Sequence, residues 1–377
     1  MIWLLASRWE PGGLERVQYN LARALRTQGR AVRIVAGRHA GGPGDEGDVR
    51  CIAPAGAVQF LWRLPGYIRR HQPEVVMTTS NDVAVWLLAC RRWAFPRTRV
   101  VVSQHLSISG PRLSAKGLRR MKLEAIRWTM RWAFRKADAL VAVSAGVAKD
   151  MHDELGLQGC NIEVIYNPVV DGGEAAAPEV PKPIAWPFDL DDVPVIVFAG
   201  RLAPEKRLDL LLRAFTRVRA ARPARLLVLG EGEMSAELRA GVEAAGIGSD
   251  CAMPGRVDDI APWLKRSALL VLPSDYEGFG NVLVEAMQAG TQVVATDCPS
   301  GPAEILAGGV YGQLVPVGDA QALAAAILAS LDRRFHVPVE ALRRRAQEFS
   351  IARSRQAYER VLHAVLSREP VSLRELR

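Results

Sequence analysis

Short apolar runs alternate with stretches of helical spacing along most of the 377 residues. Residues 2–6, 31–36, 75–77, 100–103, 139–143 and 163–165 read as strands, most of them bounded by glycine, proline or polar residues. Between the first two runs, Val17, Leu21, Ala24 and Leu25 share one face of a predicted helix over 14–27, which Gly29 stops. Residues 37–50, rich in Gly and Asp, predict a mobile loop. Helical stretches separate most of the other runs, and such alternation implies a parallel, doubly wound α/β sheet.

Around residues 171–194 the pattern breaks. Pro168, Pro178, Pro181, Pro183, Pro187 and Pro194 interrupt every period, which predicts an interdomain linker after a first domain over 1–170. The alternation then resumes over 195–350, with strands at 195–198, 225–229, 269–272 and 292–296 and a short one near Cys251. Helices are expected at 208–221, 234–245, 260–266, 281–289 and 320–331. Two such domains would face each other across a cleft at the carboxyl ends of their strands. A last helix, 352–366 within 351–377, has no strand after it and is expected to pack back on the first domain.

Composition narrows the class. The chain is 49% hydrophobic and 24% charged, which is globular. No apolar run approaches a membrane span, and residues 1–6 read as a strand and not as a signal peptide. Five cysteines lie far apart without a C-x-x-C pair, which suits a reducing cytoplasm and argues against disulfide or metal roles. The net charge of +9 is uneven: residues 1–180 carry 25 Lys and Arg against 16 Asp and Glu, while the remainder carries 24 of each. The first half therefore favours anionic partners.

Candidate chemistry clusters after strand ends in the second half. Gly200 and Arg201 follow the strand 195–198, with Lys206 five residues on, and two cations at such a turn suit a diphosphate. Ordinary surface cations are the plainer alternative. Gly230-Glu231-Gly232 imitates a dinucleotide fingerprint, but Ser235 stands where its third glycine belongs. Glu277, in the loop Glu277-Gly278-Phe279-Gly280, and Glu285, on the helix beyond, read equally as a ligand site or as a helix-start carboxylate plus a solvated one.

Taken in order, Gly200-Arg201 with Lys206, Gly230-Glu231-Gly232, Pro254-Gly255-Arg256-Val257 and Glu277 to Glu285 resemble the second domain of the family-4 retaining glycosyltransferases. Pro11-Gly12-Gly13 with Glu15-Arg16 resembles that family's amino-terminal glycine loop. The resemblance implies the GT-B fold of two Rossmann-like domains. It also implies a nucleotide diphosphate sugar as donor, a UDP-sugar ahead of GDP-mannose, with no other cofactor and no metal. Under it Arg201 and Lys206 hold the diphosphate, and Glu277 with the backbone of Gly278, Phe279 and Gly280 meets the sugar hydroxyls. Glu285 accepts from the ribose, Arg256 and Val257 border the base, and Gly12 and Gly13 approach the phosphates. His105, after the strand 100–103, matches a histidine the family places near the sugar; a structural histidine is the alternative reading. No carboxylate pair of the glycosidase kind is evident; front-face attack with retention, the leaving phosphate taking the acceptor's proton, is what the resemblance implies.

Two departures from the family pattern stand out. Arg207 replaces a common glycine, a change expected to bear only on helix packing. Cys298-Pro299-Ser300-Gly301-Pro302-Ala303-Glu304 replaces a Gly-Gly-x-x-Glu pattern and leaves Glu304 as a less secure donor contact. Asp189-Leu190-Asp191 fits a metal-binding spacing, but its proline-rich setting reads as a solvated turn.

Residues 112–136 hold nine cations, Lys116 among them, and one acid, Glu124, interleaved with Leu118, Met121, Trp128 and Trp132. Such a helix suits an anionic membrane surface. No nucleic-acid fold is visible, and a helix that buries its tryptophans and solvates its cations is the alternative. The expectation is a peripheral enzyme on the inner face of a cell membrane, acting on a glycan or lipid-linked acceptor for surface polysaccharide or lipopolysaccharide. A soluble transferase of small sugars and a catalytically silent nucleotide-sugar binder are its rivals.

Overall fold

The computed structural model describes residues 1–10, 12–42, 44, 48–113, 115, 117–171, 184–189 and 191–367. It divides into two compact units, Met1–Asp171 with Phe349–Arg377, and Gly172–Glu348.

The first unit is a seven-stranded sheet ordered β3-β2-β1-β4-β5-β6-β7. Its strands are β1 (Ile2–Trp9), β2 (Val32–His39), β3 (Val49–Cys51), β4 (Val75–Thr78), β5 (Arg99–Gln104), β6 (Ala139–Ala142) and β7 (Ile162–Val164). All pairings are parallel. The central strands are apolar on both faces because helices cover both. The predicted loop over 37–50 is corrected: β2 continues to His39 in register with Trp9 of β1, and β3 adds an edge strand at 49–51. Fully buried Trp9 gives the end of β1 an apolar anchor that a count of short runs misses.

The helix Ile351–Ser367 packs on the helix Gly13–Thr27 of this unit. Tyr358, Val361, Leu362 and Val365 join Leu4, Ala22, Leu25 and Val101 in one buried cluster. The returning chain is pinned by backbone bonds from Val169 to Phe349 (3.1 Å) and from Ile351 to Val170 (2.8 Å). The Ser354 hydroxyl adds a bond to the Tyr166 carbonyl at 2.6 Å.

The second unit is a six-stranded parallel sheet ordered β10-β9-β8-β11-β12-β13. Its strands are β8 (Val195–Ala199), β9 (Arg225–Leu229), β10 (Cys251–Gly255), β11 (Leu269–Leu272), β12 (Gln292–Thr296) and β13 (Gln313–Val315). The three-residue edge strand β13 and the helix Val339–Gln347 are additions to the predicted elements. Of the proposed linker, Asp171 stays with the first unit and residues 184–189 and 191–194 are attached to this one. Trp186 packs on Trp263 with ring centroids 6.0 Å apart, and Arg266 lies 4.6 Å above the Trp186 ring. Asp191 takes two bonds from Arg225, each 2.7 Å, so this acid serves an ion pair. Residues 172–183 and Leu190 lie outside the described residues.

Candidate functional site: a donor pocket at a switch point

In the second sheet, chain order reverses between β8 and β11. Open parallel sheets bind ligands outside their carboxyl ends at such a point. Gly200 to Lys206 leave the end of β8, and Ser274 to Gly280 leave the end of β11. The predicted donor residues therefore arrive at one place from two strands.

The two loops are joined directly. The Asp275 amide donates to the Glu205 carbonyl at 2.8 Å. Lys206 Nζ lies 2.5 Å from Glu277 Oε1, an ion pair with side chains 17% and 9% exposed. Ser274 Oγ, fully buried, donates to the same Oε1 at 2.6 Å. Both bonds fall on one oxygen, so Oε2 accepts none from the described residues and keeps its capacity for an external donor. The sequence reading gave Lys206 and Glu277 separate tasks; the structure makes them a pair. Buried Cys298 lies beside that pair, and burial, then the Glu277 charge, push its thiol up to about 12. Arg201 extends outward at 72% exposure and reaches back to Glu205 at 2.8 Å.

Arg207 corrects an expectation. It adopts φ +48°, ψ +53°, a conformation suited to glycine, so its position constrains the backbone and not helix packing alone. Its guanidinium compensates by binding Asp209 (2.9 Å) and Asp275 (2.8 Å), a further tie between the two loops. These bonds hold Arg207 above the usual arginine range and Asp209 below the usual carboxylate range.

Gly230 and Gly232 serve packing. A Cβ on Gly230 would lie 1.9 Å from the Gly200 carbonyl oxygen, and one on Gly232 would lie 2.3 Å from that of Leu202. The incomplete fingerprint is thus a seat for the Gly200–Leu202 turn. The seat is fixed by bonds from Gly200 to Leu229 and from Leu202 to Glu231, both 2.9 Å. Arg256 and Val257 follow β10, whose Gly255 carbonyl accepts from Gly230 at 2.8 Å; Arg256 is exposed and 3.8 Å from Asp258. The helix Asn281–Ala289 starts after Gly280, with Phe279 buried and Glu285 half-buried. The Glu304 carbonyl receives Arg345 Nη2 at 2.5 Å.

Two family models span most of the chain: Glycosyltransferase Family 4 over residues 11–171 and Glycosyl transferases group 1 over residues 193–333. The chain belongs to the family-4 glycosyltransferases. Among relatives of this family-4 chain is the 2-deoxystreptamine glucosyltransferase of Streptomyces kanamyceticus, 30% identical over 60% of this chain and 61% of that protein. Another is the lipopolysaccharide core biosynthesis glycosyltransferase LpsE of Rhizobium meliloti, 32% identical over 52% and 54%. The chain spans less than two thirds of the length of the curated relatives it matches. The Anabaena HepE structure with UDP-glucose superposes at a TM-score of 0.75, with 19% identity, over 97% of this chain and 100% of that one. The shared architecture is GT-B.

The remaining predicted residues of the family-4 chain lie in the first unit. Gly12 and Gly13 follow β1 and open the helix Gly13–Thr27, both exposed. Gly12 is in extended backbone, and Pro11 lies outside the described residues. His105 sits just past β5, its Nε2 3.0 Å from Ser103 Oγ. The residue keeps some exposed surface, while burial of its ring lowers its pKa to about 3.

The basic stretch forms the helix Gly117–Phe134. Met130, Ala133 and Phe134 turn inward, whereas Leu118, Met121, Trp128 and Trp132 are exposed, which sets aside the alternative of buried tryptophans. Arg112 and Arg127 bind Glu124 and Glu154, and Lys116 lies outside the described residues. Lys136 Nζ rests 3.0 Å above the Trp132 ring. Helix Asn81–Ala94 packs between this helix and Ala57–His71, and each neighbour adds an exposed tryptophan: Trp93 at 81% and Trp62 at 73%. The sequence reading missed this extension because Trp62 and Trp93 are distant in the chain. Among the described residues, no helix is long and apolar enough to cross a membrane.

Proposed function

We propose that this protein transfers a hexose or N-acetylhexosamine, with retention, from a nucleotide diphosphate sugar to a glycan or lipid-linked acceptor in surface polysaccharide or lipopolysaccharide synthesis. The observation that carries the reading is the Lys206–Glu277 pair where β8 and β11 diverge, a cation and an acceptor oxygen fixed side by side. Lys206 has N–H groups left for a β-phosphate oxygen, and Arg201 is free to swing onto the diphosphate, so the negative charge growing on the leaving group is neutralised. These two cations make transfer independent of a divalent metal. Glu277 Oε2 accepts from a sugar hydroxyl, Glu285 from the ribose, and the amides at Gly278–Gly280 approach closely. Arg256 and Val257 border the base, Gly12 and Gly13 leave room for phosphate oxygens, and Glu304 is a further sugar contact. A UDP-sugar is the favoured donor, supported by the likeness to HepE, which has been solved with UDP-glucose. The leaving phosphate takes the acceptor proton in front-face attack.

A panel of UDP- and GDP-sugars tests the donor reading. One member is expected to be hydrolysed in chelator and to raise the melting temperature, with about 2.7 kcal/mol of stabilisation at a hundred times Kd. If no nucleotide sugar is cleaved or shifts the melting point, the reading fails.

The acceptor side is read from the layer of three helices described above, whose exposed tryptophans alternate with cations. Helix Ala57–His71 carries no acid, and the only ones on the other two are Asp82 and Glu124. Tryptophans with basic neighbours suit the headgroup region of an anionic bilayer. Co-sedimentation with vesicles containing phosphatidylglycerol is expected, and with pure phosphatidylcholine it is not. Replacing exposed Arg119 and Arg120 by Gln should weaken partitioning by about 2 kcal/mol, roughly thirtyfold. Equal binding to both vesicles would remove the membrane from the proposal.

A further inference from the structure

We infer that the helix Ile351–Ser367 sets the tautomer of His105 through Ser103, so that the imidazole stays neutral and presents its Nδ1–H as a hydrogen-bond donor. Alternation along β5 puts Val101 and Ser103 on the sheet face where Tyr358 packs. The Tyr358 hydroxyl lies 3.1 Å from Ser103 Oγ, and Ser103 Oγ lies 3.0 Å from His105 Nε2. Three groups thus form one line with two hydrogen bonds.

The direction of the protons follows from counting. Tyr358 is buried, and Ser103 is its hydroxyl's only hydrogen-bond partner among the described residues. A buried O–H without an acceptor costs about 1–3 kcal/mol. Tyr358 therefore donates to Ser103. Ser103 has one proton and donates it to Nε2, which must then carry a lone pair, leaving the ring proton on Nδ1. The reverse arrangement, with Nε2–H donating inward, leaves one hydroxyl proton with no acceptor, that of Tyr358 if Ser103 donates to it and that of Ser103 if its oxygen accepts from both neighbours. Burial acts in the same direction: the phenol is pushed up to about 12 and the imidazole down to about 3, so neither group changes charge near neutral pH.

Nδ1 makes no hydrogen bond with any described residue. In the transferase reading, on which this step alone rests, the Nδ1–H meets an oxygen of the donor or acceptor sugar. His105 then orients a substrate and takes no proton from it. Tyr358 and Ser103 are positioning residues, and the last helix acquires a role beyond packing.

A cavity bordered by Leu4, Val17, Met77, Ser103, His105 and Tyr358 has room for about one water. Were that water the phenol's acceptor, Tyr358 would not control the ring, and the experiment separates the two cases. Long-range proton–nitrogen spectra of the 15N-histidine-labelled full chain report each tautomer, with His105 among the six histidines assigned by loss of its signals in His105→Gln. The wild type is expected to show His105 as the Nδ1–H tautomer, unchanged from pH 8 to pH 5. Tyr358→Phe keeps the ring packing and removes the outer proton, so His105 should become a mixture of tautomers; Ser103→Ala should do the same. An Nε2–H wild type, or an Nδ1–H signal unaltered in both variants, overturns the inference. The measurement uses no sugar nucleotide, so its failure is separate from failure of the donor reading.

Discussion

Lys206→Ala is expected to lower kcat for transfer or donor hydrolysis by about a thousandfold, the loss seen when a charge-stabilising donor is removed from a reaction centre. In the proposed function the ammonium meets the β-phosphate as it takes on charge, so most of the effect falls on kcat and less on KM. The same change has a second result. Glu277 is 9% exposed, and without Lys206 its carboxylate keeps, among the described residues, only the Ser274 hydroxyl. Breaking a buried pair from one side costs about 3 kcal/mol, less here because Lys206 retains some exposure. Adding Glu277→Gln to Lys206→Ala removes the stranded charge, so the melting temperature should recover while turnover stays absent. If turnover returns with stability, Lys206 is only the counter-ion of Glu277. Near-normal activity in the single variant would end its catalytic assignment altogether.

Gly301→Ala should cost about 3 kcal/mol or more and weaken donor binding as well. Gly301 has φ +88°, and an added Cβ would lie 1.9 Å from the Phe279 carbonyl oxygen. That neighbour is backbone, so relief requires moving the Gly278–Gly280 turn or the Pro302–Ile305 helix. Thermal melts and the KM for the nucleotide sugar read the two effects. Gly248→Ala, with no atom within 4 Å of its Cβ and ordinary φ, is the control and should stay within about 0.5 kcal/mol. An unchanged melting temperature for Gly301→Ala would show that the turn is not held as described.

These two sites show what the sequence could and could not convey. Strands β4, β5, β8, β9, β11 and β12 were legible because each is a continuous apolar run ended by a turn residue. Strands β3 and β13, three residues each at sheet edges, have too few positions to show a period, and β7, equally short, reads one residue late. The cations and carboxylates of the candidate site were singled out from their order after strand ends. Their pairing was not, since Lys206 and Glu277 are 71 residues apart and only the sheet order brings β8 beside β11. Ser274 could have been found as the hydroxyl three residues before Glu277, but nothing local distinguishes it from a turn serine. For Arg207 the substitution was visible, and its φ was not. The stripe of Trp128 and Trp132 reads the same facing inward or outward; the packing of Met130, Ala133 and Phe134 settles the direction.

The return of the chain to its first unit sets an order of assembly. Tyr358, Val361, Leu362 and Val365 belong to the core that also holds Leu4 and Leu25. On the ribosome, residues 184–348 are complete before these side chains exist, so the second unit can close while the first still lacks a wall. Until residues 351–367 are made, the apolar face of the helix Gly13–Thr27 is open to other chains and to chaperones. A nascent protein of this design is exposed longest at the end it made first.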